Sequence, residues 1–464
     1  MSNSGDAIFV GIASYCDTEL DETLTQLFGK AKDPSRVYVG LVLQEHEAVR
    51  QAPVMDKWRR HPRVRMLEFD PIDSKGAGWA RSNIARLHRG EAYYLQLDSH
   101  HIFVRWWDAT CVSVLANVAK KSPKPMLTSY VRNYPANVTN AESLLSELPW
   151  RMTTGHWMNP FSGLTPKKIQ YIPAPIETHI MHAISPEPQP AAFFSAHFVF
   201  VRSSWLREVP YDPYVYFDGE EDSLGLRSWT SGYDMFYPTT HIVFHRYHRA
   251  DSKKHWDDHP KMFNDMTIAS IKRLNDIIAT GGGPNGSDRL GKFGLGKART
   301  LTQYQDFAGV NYDRMWLTTR ARYGEIGGRV PTRSTPRLWV HSEGHFQIHK
   351  FEEWGEVWEE WKWTKQAAAD KKTKKKGGGS GGVGGGKEQA AAAAAAGDDE
   401  MMAKVEAKFI VTSRDRAPPR PNLHMKDESR GIELNLTPEA CFYRYPNRND
   451  SLANWTLMTY GYWM

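Results

Sequence analysis

A chain of 464 residues with 41% hydrophobic content exceeds one average domain and is long enough to bury a large core. Its net charge of +6 comes from 59 basic against 53 acidic residues. The excess is gathered in clusters such as Arg59-Arg60 and the lysine-rich run 371–376, which argues against a dedicated nucleic-acid binder. No window approaches the roughly 18 consecutive apolar residues of a membrane span. The three cysteines, Cys16, Cys111 and Cys441, are too few and too scattered for a disulfide framework and fit a reducing compartment. With no apolar signal-type run ahead of Ile8, the cytoplasm is the expected location.

In chain order, residues 8–13 read as a buried first strand, followed by the loop Ser14-Tyr15-Cys16-Asp17. Residues 22–32 have helical spacing, with Leu24, Leu27 and Phe28 on one face. Residues 36–43 form a second strand leading into Gln44, and residues 64–69 a third. A Gly76-Ala77-Gly78-Trp79-Ala80-Arg81 loop opens a helix to Leu87, and a fourth strand starts at Tyr93. Strands alternating with helices predict an α/β fold with a mixed, mainly parallel central sheet. Ligands on such sheets gather outside the C-terminal strand ends. Ala13, Ser14, Tyr15, Gln44, Gly78, Trp79, Arg81 and Ser99 fall at those ends and are the candidate nucleotide-binding residues. Gly76 and Gly78 allow close backbone approach, and Arg81 carries a charge suited to a diphosphate. The same loop also reads as an ordinary turn and helix start. It matches neither the Rossmann nor the P-loop fingerprint.

The run from Tyr93 to Phe103 ends its apolar stretch in Asp98-Ser99-His100. In an extended segment residues i and i+2 face the same side. Asp98 and His100 can therefore aim an oxygen and a nitrogen at one divalent ion, Mn2+ or Mg2+, that also holds phosphate oxygens. The plainer reading makes Asp98 a turn cap and His100 a surface histidine. Residues 107–120 are helical and 126–130 form a strand; 132–190 are irregular and suited to acceptor binding. Residues 191–202 return to strand character.

Glu220, Glu221 and Asp222 follow Gly219 and open a helix through Trp229. Acidic residues suit a helix N-terminus, but Asp218 beside them makes the patch denser than a cap needs. The three are candidates to hold sugar or acceptor hydroxyls. Residues 233–244 continue the sheet and end in His245-Arg246-Tyr247-His248-Arg249. His245 or His248 is a candidate third metal ligand, whereas Arg246 or Arg249 on a phosphate is the competing use of this segment. Residues 261–279 are helical, and 281–287 form a loop. Trp354, Trp358 and Trp361 fall at helical spacing and read as packing. The expected division is a catalytic domain 1–315, an aromatic-rich extension 316–365, a low-complexity linker 366–400 and a C-terminal module 401–464.

Several ordered motifs together resemble one family. They are Ile8-Phe9-Val10-Gly11-Ile12-Ala13-Ser14-Tyr15, Gly78-Trp79-Ala80-Arg81, Leu95-Gln96-Leu97-Asp98-Ser99-His100, Val209-Pro210-Tyr211-Asp212-Pro213, Gly219-Glu220-Glu221, Trp229-Thr230-Ser231-Gly232-Tyr233-Asp234 and Leu295-Gly296-Lys297-Ala298-Arg299-Thr300-Leu301. The sequence resembles the cytoplasmic GlcNAc-transferases that modify hydroxyproline, over about residues 6–315. The resemblance implies a GT-A nucleotide-sugar-binding fold, UDP-GlcNAc as donor, a divalent cation and retention of anomeric configuration. It also implies a protein acceptor, such as a hydroxyproline-bearing ubiquitin-ligase adaptor. Asp98 and His100 match the family's Asp-x-His metal motif. The mucin-type polypeptide GalNAc-transferases share that motif and a later histidine ligand, to which His245 or His248 corresponds. Their sugar-binding loop has its counterpart in Gly219-Glu220-Glu221-Asp222. The chain departs from the pattern at residues 191–197, where a glycine is expected near position 197 and His197 stands instead, and beyond about residue 315.

Overall fold

Four strands made of near-continuous apolar runs lie side by side in parallel: β1 (Ile8–Tyr15), β2 (Val37–Gln44), β3 (Val64–Phe69) and β4 (Tyr93–Asp98). Such runs suit parallel strands covered on both faces. The computed structural model describes residues 6–157, 176–182, 185–249, 252–279, 290–312, 315–318, 321, 324–326, 344–353, 356–365, 423–427 and 432–436. The chain divides into two units, Met1–Gln366 with Tyr462–Met464, and Ala367–Gly461. The described part of the second is one antiparallel hairpin, Leu423–Asp427 with Ile432–Leu436. Among the described residues no helix is long and apolar enough to cross a membrane.

In the first unit, β5 (His101–Phe103) follows β4 after a two-residue break, and β6 (Pro125–Thr128) comes next. A two-stranded antiparallel ladder, β7 (Trp150–Trp157) with β8 (Ile176–His182), follows. Then come β9 (Gln189–Ala191), β10 (Phe198–Arg202), β11 (Asp234–Tyr237) and β12 (Val243–His245). The main sheet has the order β3-β2-β1-β4-β10-β6-β11-β9. Its mixed character enters at β10, which runs antiparallel to both β4 and β6, and at β9, antiparallel to β11. The sheet is thus mixed and mainly parallel, as expected.

Side-chain alternation builds the two layers. On β1, Ile8, Val10 and Ile12 join one core with Leu20, Leu24 and Leu27 of α1 (Leu20–Gly29), while Phe9 joins the other with Ala80 and Ile84 of α2 (Ala77–Ile84). Helix α3 (Trp107–Val118) adds Trp107 and Cys111 to the first core. Helices α4 (Glu220–Thr230), α5 (Pro260–Ala279) and α6 (Leu301–Ala308) add Leu224, Leu274 and Tyr304 to the second. Helix α6 starts at a capping box: Thr300 Oγ1 accepts from Gln303 N at 3.1 Å and Gln303 Oε1 from Thr300 N at 2.9 Å.

Four expectations change. The run 93–103 is two strands in two sheets, because β5 leaves the main sheet to pair antiparallel with β12. For the same reason 233–244 splits into β11 and β12. The region 132–190 is not wholly irregular, since it carries the β7–β8 ladder. Trp358 and Trp361 lie on the strand Glu356–Lys365, paired with Gly344–Glu353, rather than on a helix. This strand also pairs with Trp316–Thr318. The loop 281–287, Trp354 and the linker 366–400 lie outside the described residues.

Gly78 has a packing reason to be glycine. A Cβ there would lie 2.0 Å from Val215 O and 3.1 Å from Asp212 O. The Gly78→Ala variant is therefore expected to push α2 off the 212–215 loop and to destabilise the protein by about 1–3 kcal/mol. A thermal melt checks this, and an unchanged Tm would show that the loop yields freely.

Candidate active site

Strand β4 ends at Asp98, on the C-terminal edge of the parallel strands. There the chain turns away through Ser99 and His100 into β5. The register of β5 on β12 sets His245 opposite His101. That pairing carries a histidine from far along the chain to the end of β4. One ligand-type atom from each of Asp98, His100 and His245 lies within 4.8 Å of the other two. Asp98 Oδ2 is 3.3 Å from His245 Nε2 and 3.8 Å from His100 Nε2. Burial, with His197 stacked against it at 4.5 Å, drives the His245 pKa well below the usual value, so the ring is neutral and can offer a lone pair. His248 is exposed and stands outside this group.

The other oxygen of Asp98 belongs to Arg81. This guanidinium is buried between two carboxylates, pairing through Nη2 with Asp98 Oδ1 and through Nη1 with Glu220 Oε1 at 2.5 Å. Burial alone would raise the Asp98 pKa; the Arg81 charge and the hydrogen bond with His245 hold it well below the usual carboxylate range. Arg81 thus ties α2 to the end of β4 and to the first turn of α4. Both its terminal nitrogens face carboxylates.

His100 is held by a residue the sequence placed on the rim without a role. Asp17 Oδ2 lies 2.8 Å from His100 Nδ1 and accepts from Ser99 Oγ at 2.5 Å. Burial opposes its ionisation, but His100 and Arg249 hold its pKa at about 2. A carboxylate on Nδ1 leaves Nε2 as the free ligand atom, the arrangement that orients metal-binding histidines. Arg249 Nη1 lies 2.7 Å from His100 Nδ1 and 2.9 Å from Nε2. One donor so near both nitrogens cannot lie along both lone pairs. It is better described as a charge beside the ring than as a hydrogen bond. Arg249 Nη2 also pairs with Asp17 at 3.1 Å. Arg246 is committed elsewhere, to Glu19 at 2.5 Å.

The acidic row at the start of α4 is dispersed among four partners. Glu220 meets Arg81, Asp222 accepts from Tyr312 OH at 2.6 Å, and Glu221 accepts from Ala196 N at 2.7 Å and Tyr130 OH at 2.5 Å. Burial nonetheless pushes the Glu221 carboxyl up to about 8. The expected nucleotide residues vary in how free they are. Gln44 is buried as a staple, accepting from Ser74 Oγ at 2.5 Å and donating to Ser14 O at 3.1 Å. Tyr15 OH donates to Asp258 at 2.7 Å, and Trp79 packs edge-on to Phe69. Ala13 is half-buried at the rim, and Ser14 Oγ is buried with no hydrogen-bond partner among the described residues. Sequence reasoning missed Asp17, Tyr130 and Tyr312, whose contacts cross 83, 91 and 90 residues.

A family model described as Glycosyltransferase (GlcNAc) matches residues 7–57 and 42–314, more than half of the chain. No curated protein matches it. Among solved structures, S. aureus TarS 1-349 in complex with UDP-GlcNAc is 12% identical, covering 54% of this chain and 60% of its own, with a TM-score of 0.32. GalNAc-T7 with UDP, GalNAc and Mn2+ is 11% identical, covering 76% of this chain and 71% of its own, with a TM-score of 0.43. In the comparison with the UDP-GlcNAc complex the chain thus spans less than two thirds of the TarS fragment.

The Glu221 shift has a measurable sign. An acid whose pKa rises from 4.5 to about 8 on folding binds its proton more tightly when folded. Its contribution is fully present below pH 4.5 and is lost as pH rises through about 8. The stability of the protein relative to Glu221→Gln should therefore fall steadily over that window in chemical denaturation at a series of pH values. A constant difference would place Glu221 at an ordinary carboxylate pKa.

Proposed function

The chain belongs to the Glycosyltransferase (GlcNAc) family, and we propose that it moves GlcNAc from UDP-GlcNAc to a hydroxyl acceptor, with Asp98, His100 and His245 holding a divalent cation. The observation that carries the reading is the convergence of these three side chains at the end of β4, where α/β sheets take their ligands. The residues fit such an ion. They offer one carboxylate oxygen and two imidazole nitrogens, with His245 held neutral by burial and the Nδ1 of His100 taken by Asp17. Imidazole donors favour Mn2+ over Mg2+. The ion, when bound, supplies positive charge to the diphosphate leaving group.

The chain's own residues do the rest. Arg81 fixes Asp98, and Asp17 fixes His100, so the ligand atoms are preorganised. Arg249, beside His100, places a second positive charge near the donor phosphates. The Glu221 carboxyl, protonated near neutral pH by burial, is suited to hydrogen-bond a sugar hydroxyl as donor or acceptor. In the proposed transfer the acceptor oxygen bonds to the anomeric carbon from the face that UDP leaves. The carbon–phosphate-oxygen bond breaks through an oxocarbenium-like state, and the acceptor proton passes to the departing diphosphate. That retaining, GT-A-type course rests on the resemblance of Asp98-Ser99-His100 and Gly219-Glu220-Glu221-Asp222 to the family motifs. So does the acceptor, hydroxyproline on a cytoplasmic protein such as a ubiquitin-ligase adaptor.

Incubation with a panel of UDP-sugars and Mn2+, with and without EDTA, tests the donor and the ion through UDP release. EDTA-sensitive release from UDP-GlcNAc is the expected result. Release from another UDP-sugar would keep the transferase and discard the GlcNAc assignment. Loss of the ion's charge stabilisation is worth several kcal/mol, so Asp98→Asn should lower the rate by roughly 100-fold or more. Activity of this variant near the wild-type level would remove Asp98 from the metal site. A hydroxyproline peptide and its proline counterpart then test the acceptor, and the anomeric configuration of the product tests retention.

A further inference from the structure

A second group of ligand-type side chains stands on the same rim, outside the site just described. Cys16 follows the last residue of β1, His46 lies two residues past β2, and Asp258 closes the short helix His255–Asp258. One ligand atom from each, sulfur, ring nitrogen and carboxylate oxygen, lies within 4.8 Å of the other two. We propose that Cys16, His46 and Asp258 form a second metal site, for a borderline-soft divalent cation of which Zn2+ is the best fit. Thiolate, imidazole and carboxylate are the three protein ligands of tetrahedral zinc. Bonds of about 2.0–2.3 Å place such ligands roughly 3.5 Å apart, so closure needs only a small movement. His46 is exposed and has the room to make it.

Three further observations converge on this point. Cys16 has φ 45, a left-handed conformation costly for a residue with a side chain, and here it accompanies a thiol on a ligand-binding rim. Asp258 is already oriented, accepting from Tyr15 OH at 2.7 Å and from Lys253 Nζ at 2.6 Å, with lone pairs to spare on each oxygen. Glu45 and Asp258 place carboxylates close to the thiol. That negative surrounding, opposed by the single charge of Lys253, favours an incoming cation. On binding, the sulfur–hydrogen bond breaks, a sulfur–metal bond forms and one proton is released to solvent. The ion would clip the ends of β1 and β2 to the 255–258 helix. It would also fix the backbone beside Asp17, the carboxylate that orients His100.

Cobalt substitution in the full-length protein tests this without reference to activity. Titration of Co2+ into the protein should give a near-ultraviolet thiolate-to-cobalt charge-transfer band and release one proton for each ion that generates it. The band should vanish in Cys16→Ser and persist in Asp98→Asn. His46→Ala, a change at an exposed position, should weaken the band-forming affinity roughly 10-fold or more and keeps the test valid if Cys16→Ser folds poorly. A wild-type protein without the band, a band that survives Cys16→Ser, or an affinity unmoved by His46→Ala would each overturn the proposal.

Discussion

A buried guanidinium between two carboxylates is the interaction on which this site depends. Arg81, carried on α2, joins Asp98, at the end of a central strand, to Glu220, at the start of α4. Removing one partner of a buried pair typically costs about 3–5 kcal/mol, because the other charge is left desolvated and unpaired. Asp98 alone would be pushed toward its neutral form by burial in this position. With Arg81 present, Asp98 keeps its charge and presents its second oxygen toward His100 and His245. The close contact of Gly78 with the 212–215 loop seats the helix that delivers Arg81. One packing constraint and one charge balance thereby decide where the candidate ligands stand.

A second layer of charges sets the histidines. Asp17 fixes the orientation of His100, and Arg249 faces both. His245 sits among aromatic rings, against His197 at 4.5 Å and Tyr247 at 4.3 Å. His197, where the family pattern leads one to expect glycine, fills that space with a neutral ring whose pKa burial lowers to about 3. The site thus sets Asp98, held ionised chiefly by Arg81, beside a His245 ring held neutral by burial. That contrast in protonation is what a metal-ligand set requires.

Much of this was legible from short-range pattern. Apolar runs of the right length marked the strands of the main sheet, and Asp98-Ser99-His100 announced itself by spacing and by its place at a strand end. What stayed hidden depends on pairing across long separations. The split of residues 93–103 follows from the pairing of β5 with β12, and Arg81 meets Glu220 across 139 residues. An arginine beside glycines reads locally as a phosphate ligand, and its ion pair with Glu220 is visible only in the fold. Gln44 likewise reads as a rim residue, and its hydrogen bonds with Ser74 Oγ and Ser14 O appear only in the fold. Trp358 and Trp361 fit a helical period, yet the partner strand Gly344–Glu353 makes an extended ladder. In each case a local pattern was compatible with two structures, and a distant partner chose between them.

The most direct measurement is the anomalous scattering of Mn2+ in crystals of the protein grown with Mn2+ and UDP. The predicted result is a peak bonded to Asp98 Oδ2, His100 Nε2 and His245 Nε2 and bridged to the diphosphate, with Arg81 still on the other oxygen of Asp98. A peak held by the diphosphate alone, or one on His248 with His245 unbound, would contradict the assignment of the site.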